Sequence, residues 1–231
     1  MTRLETSERL ITEPIKSSRA GEFVSRMCLF TAVAVLIVLA VPTGIIAVLE
    51  GVGAMPLPYN LHVVDMRLPG IFKIHMLASG AALVLMPAVI AVRRHRRWHR
   101  PLGRMTAFFV VAGALTSFPV AYESISVWPA RVGFVAQGLV WLALIVEGVR
   151  AIRNKERARH ATLMLTMAAV ASGAIWVRLT TAVATAWDLP FDPIYACATW
   201  LGWLLPLALV LAFAPTSILP RRVISRTALA T

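Results

Sequence analysis

Charged residues are scarce in this sequence. They occupy 15% of its 231 positions, whereas hydrophobic residues occupy 58%, and the mean hydropathy is +0.75. A soluble domain carries about 25% charged and about 45–50% apolar residues. Beyond residue 26 no polar stretch is long enough for a separate soluble domain. We therefore predict an all-α fold, a polytopic transmembrane helical bundle.

Cysteine is almost absent as well. Cys28 lies in the first apolar stretch and Cys197 in the last, near opposite membrane faces in the topology predicted below. A disulfide between them is not expected, because the α-carbons of a disulfide lie within about 7 Å of each other. The sequence also lacks zinc-type Cys/His spacing, a Walker loop, a GxSxG elbow, an HExxH motif and a dinucleotide fingerprint. No motif therefore indicates an enzyme class.

Long apolar stretches dominate what is present. About 20 helical residues cross the hydrocarbon core of a membrane, and six stretches approach or exceed that length. They are approximately Met27–Leu49, Gly70–Val92, Met105–Ser124, Pro129–Val149, Ala161–Trp187 and Pro193–Ala214. The first is too long for the apolar region of a signal peptide and has no small-residue cleavage site, so we expect it to be retained. Spans 2–5 are predicted to form a four-helix core, with spans 1 and 6 peripheral.

The basic residues predict how these spans are oriented. Lys and Arg total 23 against 11 Asp and Glu, a formal net charge of +12. They cluster in the N-terminal segment, between spans 2 and 3, between spans 4 and 5, and at the C-terminus. With six spans all four clusters share one side, and the positive-inside rule makes that side cytoplasmic. We predict a bacterial inner-membrane protein with a cytoplasmic segment (1–26), a membrane domain (27–216, core 70–187) and a cytoplasmic tail (217–231).

The densest basic cluster is RRHRRWHRPLGR at residues 93–104, which contains six arginines. A cytoplasmic loop of this kind attracts anionic lipid headgroups, at about 1 kcal/mol per basic residue. Nucleic-acid binding is not expected, because the run is short and is tethered to spans on both sides. The expected partners are therefore the lipid bilayer and its anionic headgroups, with a membrane redox partner or a second copy of the chain as further alternatives.

The two connections on the cytoplasmic side resemble each other. AVRRHRRWHRPLGRMTAFF and GVRAIRNKERARHATLMLT each leave a helix through Val-Arg, continue with basic residues and place a histidine before the next span. Those histidines are His99 and His160. Spans 2–3 and 4–5 are then two related hairpins, and equivalent residues of such a repeat lie at equal depth. We therefore expect His99 and His160 at the same inner level.

Ionisable residues inside spans are candidates for function because burying them in lipid is costly. His75 lies near the outer start of span 2, and Glu123 lies at the outer end of span 3. Arg178 follows His160 by 18 residues, which places it about 27 Å higher and also near the outer face. One interpretation is an outer polar pocket in which Arg178 holds an anionic group and His75 is a ligand or a proton carrier. The other is an Arg178–Glu123 ion pair that joins spans 5 and 3.

The inner histidines also leave two interpretations open. His99 and His160 could be axial ligands of a b-type haem or share a metal site, since neutral imidazole is a common ligand for both. Alternatively, they are interfacial residues that cap helix starts or bind lipid phosphate. With His75, they form the candidate metal-ligating set.

Four short motifs carry a family resemblance. They are His75 within IHMLASGAALVLMPAVIAV (74–92), HRPLGR (99–104), HATLM (160–164) and VRL (177–179). Their order resembles the bacterial family of predicted membrane proteins called domain of unknown function 2306. The resemblance covers about residues 70–180, and it matches His75, His99, Arg100, Gly103, Arg104, His160, Met164, Arg178 and Leu179. The family pattern usually has Arg-x-Trp after the later histidine, where this chain has Ala161 and Leu163.

The resemblance implies no activity, because none is established for the family. Its histidine-bearing four-helix layout is similar to two-haem membrane cytochromes. The preferred hypothesis is a redox or electron-transfer protein that binds a cofactor, haem b or a quinone, between spans 2–5. The candidate cofactor-binding residues are His75, His99, Arg104, Glu123, His160 and Arg178. The alternatives are a small-molecule transporter or sensor with an outer polar pocket, and a non-catalytic assembly partner.

Overall fold

The computed structural model describes residues 38–213, and every regular element in that range is a helix. The helices are α1 (Val38–Gly51), α2 (Tyr59–Arg67), α3 (Pro69–Ala91), α4 (Arg96–Glu123), α5 (Trp128–Arg153), α6 (Arg157–Ala171), α7 (Gly173–Ala186) and α8 (Phe191–Phe213). Five segments are long and apolar enough to cross a membrane: α3, α4, α5, α6 together with α7, and α8. The fold is a helical membrane bundle, as predicted. The start of the first predicted span lies outside the described residues.

The basic stretch that was expected to be a loop is largely helical. Span 3 was predicted to begin at Met105, but α4 begins at Arg96 and includes the last four of the six arginines. Arginine is a good helix former, and its long side chain reaches water or headgroups from the end of a span. Hydropathy detects only the part of a helix inside the hydrocarbon, so it placed the start of α4 too late.

Successive long helices alternate in direction, which gives the bundle two ends. We call the end with Arg67 and Glu123 the upper end, and the end with His99 and His160 the lower end. An Arg67 nitrogen lies 3.6 Å from a Glu123 carboxylate oxygen, which joins α2 to the last residue of α4. The upper end corresponds to the side that the sequence predicts to be outer.

Two close crossings of small residues hold the first half of the bundle together. A Cβ placed on Gly80 of α3 would lie 2.7 Å from the carbonyl oxygen of Gly44 in α1, and the reverse distance is also 2.7 Å. On the other side of α3, a Cβ on Gly113 of α4 would lie 2.7 Å from Ser79 Oγ. Small residues at helix crossings let backbones approach closely in membranes.

The second half of the bundle is built around α8. This helix packs against α5, α6 and α7, so it belongs to the bundle more fully than the peripheral position expected from the sequence. Two glycines permit the contact. A Cβ on Gly133 of α5 would lie 2.9 Å from Thr199 Oγ1, and one on Gly202 of α8 would lie 3.2 Å from Trp176 Cβ.

The predicted fifth span is interrupted at Ser172. α6 ends at Ala171 and α7 begins at Gly173, and the Gln137 amide of α5 donates a 2.8 Å hydrogen bond to the Val170 carbonyl just before the interruption. α6 packs against α5 and α8, whereas α7 packs chiefly against α8. Ser172 keeps helical dihedral angles, and its N–H still bonds to the Ala168 carbonyl, so the two helices remain one span with a local junction that α5 supports.

Candidate functional site

The upper layer contains an ion pair that sequence analysis missed. An Arg178 nitrogen of α7 lies 3.5 Å from a carboxylate oxygen of Glu50 at the end of α1. The Glu50 side chain is only 9% exposed, and that of Arg178 is 35% exposed. The contacts of Gly51 with Met76 and Leu77 place Glu50 beside the His75 turn of α3. The available signal was a lone acid at the end of an apolar stretch, but the first span was predicted to stop one residue before it.

His75 faces α4 at the same level. Its Nδ1 lies 3.0 Å from the Gly113 carbonyl oxygen. Because a carbonyl can only accept, the hydrogen bond requires the proton on Nδ1, and in the neutral ring Nε2 keeps its lone pair. The Oγ1 of Thr116 and the Oγ of Ser79 lie 3.4 Å and 3.5 Å from Nδ1.

Glu123 does not pair with Arg178, so that alternative is wrong. Its carboxylate lies 3.6 Å from an Arg67 nitrogen, and its carbonyl accepts a 2.9 Å hydrogen bond from the same side chain. Glu123 is the last residue of α4, and α2 brings Arg67 to it at the upper rim. The sequence interpretation treated α2 as a connection. Val64 and Phe72, which are almost fully buried with Ala47 and Met76, anchor α2 to the upper ends of α1 and α3.

The inner histidines make equivalent contacts at the lower end. His99 Nδ1 in the first turns of α4 lies 3.2 Å from the Val89 carbonyl near the end of α3. His160 Nδ1 at the start of α6 lies 2.8 Å from the Gly148 carbonyl near the end of α5. The two hairpins, which resemble each other in sequence, therefore also share this hydrogen bond. α4 and α6 do not form a packed pair, so the structure does not bring these two histidines together across a helix–helix contact.

The arginines of the two lower connections differ in their partners. Glu147 lies 2.6 Å from Arg150 and 2.9 Å from Arg159, and Glu156 lies 3.1 Å from Arg159. Arg104, a candidate cofactor-binding residue, has no ion pair with any residue in 38–213. It lines a shallow depression of about 490 Å³ with Arg96, Arg97, Arg100 and Pro101.

No cluster of metal ligands is formed by the described residues. Between residues 38 and 213, no three side chains among His, Cys, Asp and Glu are placed to share a metal ion. The candidate set His75, His99 and His160 is therefore divided between the two ends of the bundle. His75 is held by α4 at the upper level, and the other two are held by their own hairpins at the lower end.

The comparison with known proteins places this chain in a family. A model described as "Predicted membrane protein (DUF2306)" matches residues 72–213. The chain belongs to this family. The DUF2306 match extends from the first turn of α3 to the end of α8 and includes His75, His99, His160 and Arg178, whereas Glu50 lies before it. No functionally curated protein and no solved structure matches the chain.

Proposed function

We propose that this DUF2306 protein is a membrane carrier that binds a small anionic solute at the upper polar layer, which consists of Glu50, His75 and Arg178. The observation that supports the proposal is the arginine within a membrane span, Arg178, whose carboxylate partner Glu50 is almost buried. Charged side chains inside spans are costly and commonly mark substrate or ion pathways. The neighbouring His75 adds a ring nitrogen, Nε2, that can accept a hydrogen bond from a protonated solute group.

The geometry of the ion pair leaves Arg178 able to bind a second anion. Its 3.5 Å distance to Glu50 is longer than the roughly 2.7–2.9 Å of a tight charge-assisted hydrogen bond. The guanidinium is also more exposed than the carboxylate that faces it. A solute carboxylate or phosphate would engage the free donors of Arg178 in the bidentate manner that suits a guanidinium, with Glu50 balancing the charge when the solute is absent.

The junction at Ser172 is a candidate hinge that favours a carrier over a rigid binding protein. Ser172 is followed by Gly173, and helices commonly bend at Gly/Ser pairs. The junction separates α6, which packs against α5 and α8, from α7, which carries Arg178. A small change of angle there would move Arg178 relative to Glu50 while α6 keeps its contacts.

Proteoliposome uptake tests this proposal, and the chain supplies its own control. Purified protein would be assayed with radiolabelled acetate, lactate, succinate and phosphate. Arg178→Gln should reduce uptake of the accepted anion at least about tenfold, because a desolvated charge-assisted contact contributes more than about 1.4 kcal/mol. Arg67→Gln removes the same charge from the upper rim and should leave uptake within about twofold, since an exposed pair contributes little. Equal losses in both variants would overturn the site assignment. If none of the anions were taken up and none stabilised the protein, the proposed carrier function would be wrong.

A redox role with haem b or a quinone is the second candidate, and the histidines favour it. Each of the three donates from Nδ1 to a backbone carbonyl, which is the orientation found in metal-ligating histidines. The residues fit a bis-histidine haem poorly. His99 and His160 lie on α4 and α6, which do not pack against each other, and the second histidine of the upper end, His62, is exposed on α2. Expression with haem supply followed by an absorption spectrum decides the matter. A Soret band that is lost in His75→Ala or His160→Ala would favour this candidate, and its absence in the wild type would remove haem.

We also infer that the protein resides in a bacterial inner membrane with both termini in the cytoplasm. The support is the distribution of basic residues, because the four basic clusters fall on one side of a six-span arrangement and positive loops stay cytoplasmic. The upper layer would then face the periplasm, where it could accept solute from outside the cell.

A further inference from the structure

The two lower connections have different electrostatic surroundings. In the α5–α6 connection, Glu147 and Glu156 neutralise Arg150 and Arg159 within the protein. In the α3–α4 connection, the arginines of α4 have no carboxylate partner among residues 38–213. They are Arg96, Arg97, Arg100 and Arg104. Two segments that look alike in sequence therefore differ in unsatisfied positive charge.

The unpaired arginines converge on one face of α4. Arg96, Arg100 and Arg104 are spaced four residues apart, so their side chains project from the same side of the helix. Together with Arg97 and Pro101 they line the depression of about 490 Å³. Like charges this close repel one another, and an anion bound between them would relieve that repulsion. Guanidinium groups bind phosphate oxygens in pairs, which makes a phosphate the fitting anion.

The same face of α4 continues as an apolar surface. Met105 and Phe108 follow Pro101 and Arg104 at four-residue spacing, and Phe108 is 68% exposed. Beside them, Trp98 is also exposed, and the Arg97 guanidinium carbon lies 5.9 Å from its ring centroid. Tryptophan is enriched at the level of lipid headgroups. A lipid whose phosphate lies among the arginines would therefore have its acyl chains along Met105 and Phe108.

From this juxtaposition we propose that the α4 arginine face, defined as Arg96, Arg97, Arg100 and Arg104, is a specific binding site for an anionic phospholipid. The lipid phosphate lies among the guanidinium groups, and its acyl chains cover the apolar surface above them, toward the middle of the span. The α5–α6 connection is not expected to share this role, because its two carboxylates already pair with Arg150 and Arg159. Its remaining basic side chains, Arg153, Lys155 and Arg157, are not among the residues that line the depression. General attraction of anionic lipids to basic loops would not distinguish the two connections.

Two triple variants of equal charge test the site. Arg96→Gln, Arg100→Gln and Arg104→Gln remove three charges from the α4 arginine face. Arg153→Gln, Lys155→Gln and Arg157→Gln remove three charges from the other lower connection, at side chains without ion pairs in the described structure. The full chain, purified in detergent, would be titrated with mixed micelles containing dioleoylphosphatidylglycerol and, separately, dioleoylphosphatidylcholine. The rise in unfolding temperature reports binding, because a ligand that binds only the folded state stabilises it.

We expect phosphatidylglycerol to stabilise the wild type and the second triple variant, and to lose its effect on the first. Phosphatidylcholine should act equally on all three proteins, which also checks that each is folded. An equal decrease of the phosphatidylglycerol effect in both triple variants would show general charge attraction and overturn the proposed site. An undiminished effect on the first variant would overturn it as well. If inorganic phosphate alone gave the same stabilisation at equal concentration, the assignment of a lipid would be wrong.

Discussion

Arg178 and Glu50 are 128 residues apart in the chain, yet their side chains meet 3.5 Å apart near the upper end of the bundle. The contact joins α7, the second part of an interrupted span, to the end of α1. It also brings the only two charged side chains of those helices in the described range to the turn of α3 that carries His75. The carrier hypothesis and the first prediction below both depend on this pairing.

Removing Glu50 should destabilise the protein more than removing its counterpart at the rim. Glu50→Gln leaves Arg178 without its carboxylate, and we expect a loss of about 1–3 kcal/mol in the free energy of unfolding. Glu123→Gln breaks the exposed pair with Arg67 and should cost about 0–1 kcal/mol. Thermal unfolding in detergent measures both. Adding Arg178→Gln to Glu50→Gln should recover part of the loss, and a double variant less stable than either single variant would contradict the pairing.

Two glycine substitutions should change stability in opposite directions. Gly80→Ala places a methyl group 2.7 Å from the Gly44 carbonyl oxygen, and overpacking of this kind costs about 1–3 kcal/mol. Gly103→Ala lies in α4 with no neighbouring atom within 4 Å of the new Cβ, and it should stabilise by up to about 1 kcal/mol because alanine favours the helix. Denaturation of the two variants side by side is the measurement. A neutral Gly80→Ala would refute the close crossing of α1 and α3.

Loss of the Gln137 amide should weaken the packing at the helix interruption. Gln137→Met keeps the length of the side chain but removes the donor to the Val170 carbonyl. Interhelical hydrogen bonds in membranes contribute about 0.6 kcal/mol on average and up to about 1.7 kcal/mol, so we expect a decrease in that range. Thr162→Val, which removes only a bond within α6 at an exposed position, serves as the control and should be close to neutral. Hydrogen exchange around Ser172 should rise only in the first variant.

Cysteine labelling tests the orientation of the bundle. In a background with Cys28 and Cys197 replaced by serine, a cysteine at Trp98 should be protected from a membrane-impermeant maleimide in intact cells. A cysteine at Asp188, in the α7–α8 connection, should be labelled. The expectation follows from the basic residues on the Trp98 side. Labelling of the Trp98 position before cell lysis would reverse the predicted topology and place the polar layer on the cytoplasmic side.

Span positions were predictable because they depend on local composition. The predicted stretches 70–92, 129–149 and 193–214 each match a helix whose ends lie within about four residues, as hydropathy allows. The start of α4 was misplaced since arginines extend a helix beyond the hydrocarbon. The junction at Ser172 was missed because hydropathy continues through it, although the Ser172–Gly173 pair is of the kind at which helices bend.

The candidate site was predictable only in part. The depth of a residue in the membrane follows from its position along its own helix, whereas its ion-pair partner depends on how distant helices pack. The positions of His75 and Arg178 in their spans suggested that both lie near the outer end, and the structure places both in the upper layer. The partner of Arg178 required knowing which helix ends meet there. Glu123 was the acidic residue predicted to lie closest to Arg178 in depth, but its carboxylate pairs with Arg67 of α2. Glu50 was overlooked because the first span was ended at the preceding leucine.

The Gly44–Gly80 crossing limits how the bundle can open. With no side chain between the two backbones, the main chains of α1 and α3 meet directly, and a rotation of either helix would press main-chain atoms together. Glu50 and His75 lie on these two helices. In the proposed carrier, we therefore expect the movement that opens the ion pair to fall on the side of Arg178, by displacement of α7 with α8, against which it packs.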